Sequence, residues 1–120
     1  MKVQPEFGVF IRQRRQALQI RNNSFSVRGL AKELGIQPSY ISKIERGEVA
    51  PPSEETIVRM AHVLGEDPDV LLALAGKVSR ELRQAIVKRP MLFAELIRQL
   101  KDAPDHALLR VVREVRDGNW

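Results

Sequence analysis

The strongest constraint on the fold of this chain is a segment that carries two short apolar patterns with a glycine between them. The apolar residues of the segment are Leu30, Leu34, Ile36, Ile41 and Ile44. Spacings of three and four residues place the members of each pattern on one face of a helix. Gly35 stands at the break, where a tight turn can require a positive φ that glycine adopts at little cost. Pro38 suits the first position of a helix, so residues 27–47 predict a helix, a tight turn and a second helix.

This segment resembles the lambda-repressor-like, or Xre, family of bacterial and phage regulators. The matching residues are Val27, Leu30-Ala31, Leu34-Gly35-Ile36 and the run from Pro38 to Gly47, PSYISKIERG. The part SYISKIERG is highly typical of that family, whereas an ordinary helical hairpin with a glycine turn is the alternative. The resemblance implies a five-helix domain whose third helix enters the DNA major groove.

The rest of the chain also carries helical patterns, and the predicted fold class is all-α. We expect a helix-turn-helix domain over residues 1–76, with its motif at 27–47, and a segment of about three amphipathic helices over residues 77–120. In the first helix, residues 5–19, the apolar positions are Phe7, Phe10, Ile11, Ala17 and Leu18. Ser26, Ser53 and Asp67 are candidate N-caps of helices 2, 4 and 5. Asp105 is the candidate N-cap of the last helix.

The charge distribution favours a nucleic-acid partner for the first part of the chain. Residues 1–50 carry nine Lys and Arg and four Glu, a net charge of +5, whereas residues 51–120 carry eleven charges of each sign. A basic surface is the expected footprint of phosphate binding, although a merely soluble basic surface gives the same count.

The expected DNA-contacting positions form two sets, of which the resemblance implies the base-reading one. The base-reading positions are Gln37, Pro38, Ser39, Tyr40 and Lys43. The phosphate-contacting positions are Arg28, Lys32, Ser42 and Arg46. Packing of Tyr40 on helix 2 is as consistent with the sequence as packing on the sugar-phosphate backbone. The connection after helix 1, residues 20–25, is longer than is usual in the family, and its Arg21 and Asn22 are either phosphate contacts or a solvated loop.

A structural ion pair between Arg15 and Glu45 is also implied by the resemblance. Arg15 follows Ile11 by four residues, where the family commonly carries an arginine that pairs with the glutamate of the third helix. A bidentate arginine–carboxylate pair is geometrically specific, so its expected role is to orient the recognition helix.

The C-terminal helices carry apolar stripes that have no obvious place in a five-helix domain. The residues expected to contact a second copy or a partner are Leu92, Phe93, Leu96, Ile97, Leu100, Leu108, Val111, Val112 and Val115. Three helices in 44 residues cannot build an independent core. Their stripes must meet each other across a dimer, meet another protein, or fold back on the first domain.

The sequence lacks the residue patterns of an enzyme or a metal site. It has no cysteine, and its two histidines, His62 and His106, lie too far apart to form a helical zinc pair. No stretch approaches the ~20 apolar residues of a membrane span, and the N-terminus lacks an apolar signal core. We expect no cofactor and no catalytic activity, no membrane association, and a cytoplasmic location.

Two functions fit these observations. The first is a transcriptional regulator, most simply a repressor, that binds a palindromic operator in double-stranded DNA as a homodimer. The second is an antitoxin-like or phage-type immunity regulator whose C-terminal helices bind a toxin or a regulatory protease. Both bind DNA, so the motif does not separate them.

Overall fold

The computed structural model describes residues 5–118 and Trp120, and all regular structure in these residues is helical. The helices are α1 Pro5–Gln19, a 3₁₀ helix Asn23–Phe25, α2 Val27–Leu34, α3 Pro38–Glu45, α4 Glu54–Leu64, α5 Pro68–Leu74, α6 Arg80–Lys88, α7 Pro90–Leu100 and α8 Asp105–Arg116. The predicted all-α fold, with five helices followed by three, is confirmed. The chain divides into two compact units, Met1–Ser79 and Arg80–Trp120, so the division falls slightly after the expected boundary at residue 76.

Local signals define both ends of α2 and the start of α3. The Ser26 hydroxyl accepts a hydrogen bond from the Gly29 N–H at 3.0 Å and so caps the first turn of α2. Gly35 ends α2 with φ +68°, the left-handed conformation that other residues adopt only with strain. Pro38 is the first residue of α3, where its missing N–H leaves no intrahelical bond unmade.

The core of the first unit lies between α1, α2, α3, α4 and α5. Its buried apolar residues are Phe7, Ile11, Leu30, Ala31, Leu34, Ile41, Ile44, Ile57, Met60, Ala61, Leu64, Leu71, Leu72 and Ala75. The α1 helix crosses α3 closely, because a Cβ added to Gly8 would stand 2.2 Å from the Ile44 carbonyl oxygen. This core therefore fixes the inner face of α3 and leaves its outer face at the surface.

Two local expectations were wrong. Ala17 is exposed, and the corresponding turn of α1 instead buries the charged Arg15. Asp105 does not cap α8: it is the first helical residue, and Pro104 occupies the N-cap position without a side-chain hydrogen bond. A proline ring fixes an extended approach to the helix, which leaves the Asp105 carboxylate to act on the helix dipole.

The long connection after α1 is an ordered turn of 3₁₀ helix. The Asn22 side-chain oxygen accepts hydrogen bonds from the Ser24 N–H at 3.0 Å and the Ser24 hydroxyl at 2.7 Å. This arrangement uses Asn22 as the N-cap of the 3₁₀ helix. A Cβ on Gly29 would stand 2.0 Å from the Ser24 carbonyl oxygen, so α2 and this turn are in close contact.

The second unit consists of α6, α7 and α8, and none of its described residues is buried. The α6 and α7 helices contact each other, while α8 makes no comparably extensive contact with either of them. Among the apolar side chains of α7 and α8, Leu92 is 70% exposed, Ile97 54% and Val112 56%. The buried core of the chain contains no described residue after Ala75. In the residues that the structure describes, no helix is long and apolar enough to span a membrane.

The net positive charge is not concentrated in the first unit when the chain is divided at the boundary between the two units. Residues 1–79 carry eleven basic and nine acidic residues, a net charge of +2, and residues 80–120 carry nine basic and six acidic residues, a net charge of +3. The acidic residues of α4 and α5 belong to the same unit as the motif and offset most of its positive charge. The net charge of the first unit therefore does not identify a DNA-binding surface, and the positions of individual lysines and arginines have to be compared instead.

Candidate nucleic-acid interface

The α3 helix presents a polar outer face that is supported by a buried inner face. Ile41, Ile44 and Glu45 point into the first unit. The exposed outer residues are Gln37, Ser39 and Lys43, and the half-buried ones are Pro38, Tyr40 and Ser42. The spacing of four residues between Ser39 and Lys43 places them on one face, so two side chains with hydrogen-bonding groups project together from a rigid helix.

Tyr40 is held by the protein itself. Its side chain is half-buried and packs against the apolar core of the first unit. The contact of Tyr40 with the sugar-phosphate backbone stays a prediction.

Arg15 and Glu45 form a buried, bidentate ion pair. Arg15 Nε donates to Glu45 Oε2 at 2.7 Å, and Arg15 Nη2 donates to Glu45 Oε1 at 2.9 Å. Arg15 Nη1 also donates to the Gln19 side-chain oxygen at 3.1 Å and to the Phe25 carbonyl oxygen at 3.3 Å. The hydrogen bond to Glu45 raises the pKa of the Arg15 guanidinium above its ordinary value, against the opposing effect of burial. The pair thus joins α1, the end of α3 and the turn before α2.

A polar concavity lies over this ion pair. It is lined by Arg12, Arg15, Val27, Ser42, Glu45 and Arg46. Val27 is the first residue of α2, so the concavity adjoins a helix N-terminus, whose free N–H groups favour an anion. Arg12, Arg46 and the Ser42 hydroxyl are groups that bind phosphate oxygens, and they come from two helices that are far apart in sequence.

Arg12 is the residue that the sequence analysis missed. Its spacing of three residues from Arg15 places both side chains on one side of α1. That spacing, combined with the family-typical position of Arg15, was a usable signal. Arg12 is exposed, and no other described residue forms an ion pair with it.

Two other arginines of the first unit, Arg14 and Arg59, form hydrogen bonds within the unit. Arg59 Nη2 donates to the Leu34 carbonyl oxygen at 2.7 Å, at the end of α2. Arg14 Nε donates to the Leu64 carbonyl oxygen at 3.2 Å, at the end of α4, and lies 2.8 Å from Glu66 Oε1. Cations at helix C-termini satisfy free carbonyls and oppose the helix dipole. These two arginines therefore stabilise the fold.

The α2 helix contributes two further exposed cations. Arg28 and Lys32 are four residues apart on the outer side of α2, and neither forms an ion pair with any other residue in the described part of the chain. Arg21 is exposed at the end of the α1 connection. The predicted phosphate-contacting side chains are thus distributed along α2 and over the second half of α3 and its C-cap.

Arg46 differs from the other candidate cations because it already has an acidic partner. Arg46 Nε donates to Glu48 Oε1 at 2.9 Å, and Arg46 Nη2 donates to Glu48 Oε2 at 3.1 Å. The two side chains are 51% and 50% exposed. The hydrogen bond from Arg46 lowers the pKa of the Glu48 carboxyl below its ordinary value, and the charge of Lys43 adds to this effect.

Two short helices joined at a left-handed glycine, with a polar outer face on the second, define a helix-turn-helix domain of the DNA-binding class. A family model described as a helix-turn-helix domain matches residues 6–74, which is more than half of the chain. The chain therefore belongs to the helix-turn-helix family, in agreement with its resemblance to the lambda-repressor-like, or Xre, regulators. No curated protein and no solved structure matches the chain. Within the described residues, no cluster of His, Asp and Glu could hold a metal ion.

Proposed function

We propose that this protein is a sequence-specific regulator of transcription that binds double-stranded DNA through α3 in the major groove. Its simplest form is a cytoplasmic repressor that binds a palindromic operator as a homodimer. The observation that carries the proposal is the outer face of α3, where Ser39 and Lys43 project from a helix held by the Arg15–Glu45 pair. A recognition helix needs both features, because base edges are read only by side chains held in a fixed orientation.

In this proposal the exposed side chains divide into two groups by what they contact. Base edges face Gln37, Pro38, Ser39, Tyr40 and Lys43, among which Lys43 can reach guanine and Ser39 either class of base. Phosphates face Arg28, Lys32, Ser42 and Arg46, to which the polar concavity adds Arg12. Phosphate contacts orient the protein on the duplex but carry no sequence information.

The small size and the exposed apolar side chains of the second unit are the reasons for proposing a homodimer. A unit of this size normally needs disulfides, a metal or oligomerisation to be stable. The chain contains no cysteine, and the described residues contain no metal-binding cluster. The apolar side chains at Leu92, Ile97 and Val112 are half exposed or more, and a second copy of the same helices is the occupant that gives a two-fold axis. A palindromic operator requires that symmetry.

Selection of bound duplexes from a random library tests the DNA-binding part of this proposal. We expect the full chain to enrich an inverted repeat and its affinity to fall with salt by roughly 0.9 log unit per log unit for each phosphate contact. Arg28→Ala should weaken binding to selected and random duplexes alike and flatten that slope. Lys101→Ala, which removes the same charge from the second unit, is the matched control. A library without any enriched sequence would contradict sequence-specific binding.

Mass measurement in solution tests the homodimer. We expect the full chain to be a dimer at micromolar concentration and Ile97→Glu to shift it towards the monomer, because a charge would be buried in the apolar contact. Ile20→Glu is the matched control, since Ile20 is 87% exposed in the first unit. A monomeric wild-type chain, or copurification with a different polypeptide, would assign the apolar stripes to another partner.

A further inference from the structure

Glu48 occupies the hydrogen-bonding groups of a residue that the proposed function assigns to DNA phosphate. Its two carboxylate oxygens accept from Nε and Nη2 of Arg46 at 2.9 and 3.1 Å. This is the same fork geometry with which arginine binds a phosphate. A phosphate can therefore bind the Nε–Nη2 edge of Arg46 only by taking the place of the carboxylate.

The position of this pair makes exchange possible. Both side chains are about half exposed, so incoming DNA has access to them. Exposed ion pairs are weak, because solvent screens them and the side chains lose freedom when paired. The Arg15–Glu45 pair, which uses the same two residue types, is only 7% and 5% exposed and remains closed to a phosphate.

The charge of Glu48 persists at neutral pH. Hydrogen bonding to Arg46 lowers the pKa of this carboxyl, with Lys43 contributing a further favourable charge. Glu48 thus places a full negative charge near two basic side chains, Arg46 and Lys43, at the end of α3. Once Arg46 has moved to a phosphate, that charge faces the DNA backbone without its partner.

We propose that Glu48 limits the affinity of this protein for DNA by competing with phosphate for Arg46. The inference rests on the proposed function and adds to it a residue that opposes binding. Exchange breaks the Arg46–Glu48 hydrogen bonds and forms Arg46–phosphate hydrogen bonds, and no covalent bond changes. Because phosphates are the same in every sequence, Glu48 weakens binding to selected and random duplexes by the same factor.

The test is a double-variant cycle on the full chain with a random-sequence duplex, measured by fluorescence anisotropy at several salt concentrations. We expect Glu48→Gln to tighten binding by about threefold to tenfold and to steepen the salt dependence by up to about one further phosphate contact. Glu33→Gln is the matched control, because Glu33 is an exposed carboxylate of α2 that forms no ion pair with Arg46. It should change the affinity less than twofold.

The cycle separates competition for Arg46 from general repulsion. The quantity compared is the change in log affinity that Glu48→Gln causes. In an Arg46→Gln background this change should be less than half of its value in the wild-type background, because there is no guanidinium left to release. If the change is half of that value or more, or if Glu48→Gln binds no more tightly than the wild type, the inference is overturned. Circular dichroism and the unfolding midpoint check that each variant is folded. A wild-type chain that binds no duplex at low salt overturns the proposed function itself, which is a different result.

Discussion

Arg15 and Glu45 are the two charged residues buried in the described part of the chain, and each satisfies the other. No buried side-chain polar atom among the described residues lacks a hydrogen-bond partner. Removal of one charge from such a pair leaves the other desolvated and uncompensated. The position of α3 therefore depends on a pair whose members are 30 residues apart in sequence.

Glu45→Gln tests this dependence with little change in shape. We expect the free energy of unfolding to fall by about 1–3 kcal/mol while the chain still folds, because Arg15 keeps hydrogen bonds to Gln19 and Phe25 but loses its counter-charge. Urea unfolding followed by circular dichroism measures the change. Glu33→Gln, an exposed acid, is the control. Equal stability of the two variants would contradict a structural role of the buried pair.

Ser39 and Lys43 should determine which bases are read. We expect Ser39→Ala and Lys43→Ala each to alter the preferred base at a different half-site position, where a mismatch costs on the order of 1–3 kcal/mol. Selection of bound duplexes with each variant, beside the wild type, measures this preference. An unchanged sequence preference in both variants would remove these residues from the base-reading set.

Arg12 should behave as a phosphate contact although it lies on α1. Arg12→Ala removes one cation from the polar concavity beside the start of α2, so the slope of log affinity against log salt should fall by roughly 0.9. The relative affinities for different sequences should remain the same. A slope equal to that of the wild type would place Arg12 outside the interface.

At the scale of the elements, close packing of helices determines how the motif is oriented. The approach of α2 to the preceding 3₁₀ turn leaves no room for a side chain at Gly29, whereas no atom stands within 4 Å of a Cβ added at Gly35. Glycine is thus required at the two positions for different physical reasons. Contact with backbone is decisive at Gly29, and a positive φ is decisive at Gly35.

Paired substitutions distinguish these reasons. Gly29→Ala should lower the free energy of unfolding by about 1–3 kcal/mol through overpacking, and Gly29→Asn should lower it at least as much because its side chain is larger. Gly35→Ala should cost about 1–2 kcal/mol, but Gly35→Asn should cost less, because asparagine tolerates the left-handed region. Chemical unfolding of the four variants measures this order. A smaller loss for Gly29→Asn than for Gly29→Ala would show that the backbone contact is relaxed in solution.

At the scale of the whole molecule, we expect the first unit to fold by itself and the second unit to hold two copies of the chain together. The first unit includes Lys77, whose Nζ donates to the Pro52 carbonyl oxygen at 3.0 Å. A chain that ends at Ser79 therefore retains this contact, whereas one that ends at Gly76 loses it. The apolar stripes of α7 and α8 lie wholly in the second unit.

Removal of the second unit should separate DNA binding from dimerisation. We expect a chain that ends at Ser79 to unfold cooperatively, to be a monomer at micromolar concentration, and to bind single half-sites without cooperativity between them. Light scattering and binding to duplexes with one or two half-sites measure these properties. The same chain ending at Gly76 is the matched comparison for the Lys77 contact. A dimeric first unit would place the two-fold interface within α1 to α5.

The sequence by itself determined the helices and the helix-turn-helix motif of this protein. The signals for these features are local: the Ser26 cap, the turn at Gly35, Pro38 at the start of α3, and apolar residues three or four apart. The sequence was misleading where a nearby residue takes the expected position. Arg15 is buried in α1 although Ala17 is exposed, and Pro104 instead of Asp105 is the N-cap of α8. The apolar stripes of α7 and α8 were also predictable, because they follow from helical periodicity alone.

Only the tertiary structure decided which cations remain available for an anionic partner. Arg14 and Arg59 bind carbonyl oxygens that lie 50 and 25 residues away in sequence, and Lys77 binds one 25 residues away. Periodicity cannot identify such partners, because folding and not chain distance brings them together. The same holds for the gathering of Arg12 and Arg46 around one concavity. A count of charges along the chain gives every lysine and arginine equal weight, whereas the fold uses some to close its helices and leaves others at the surface.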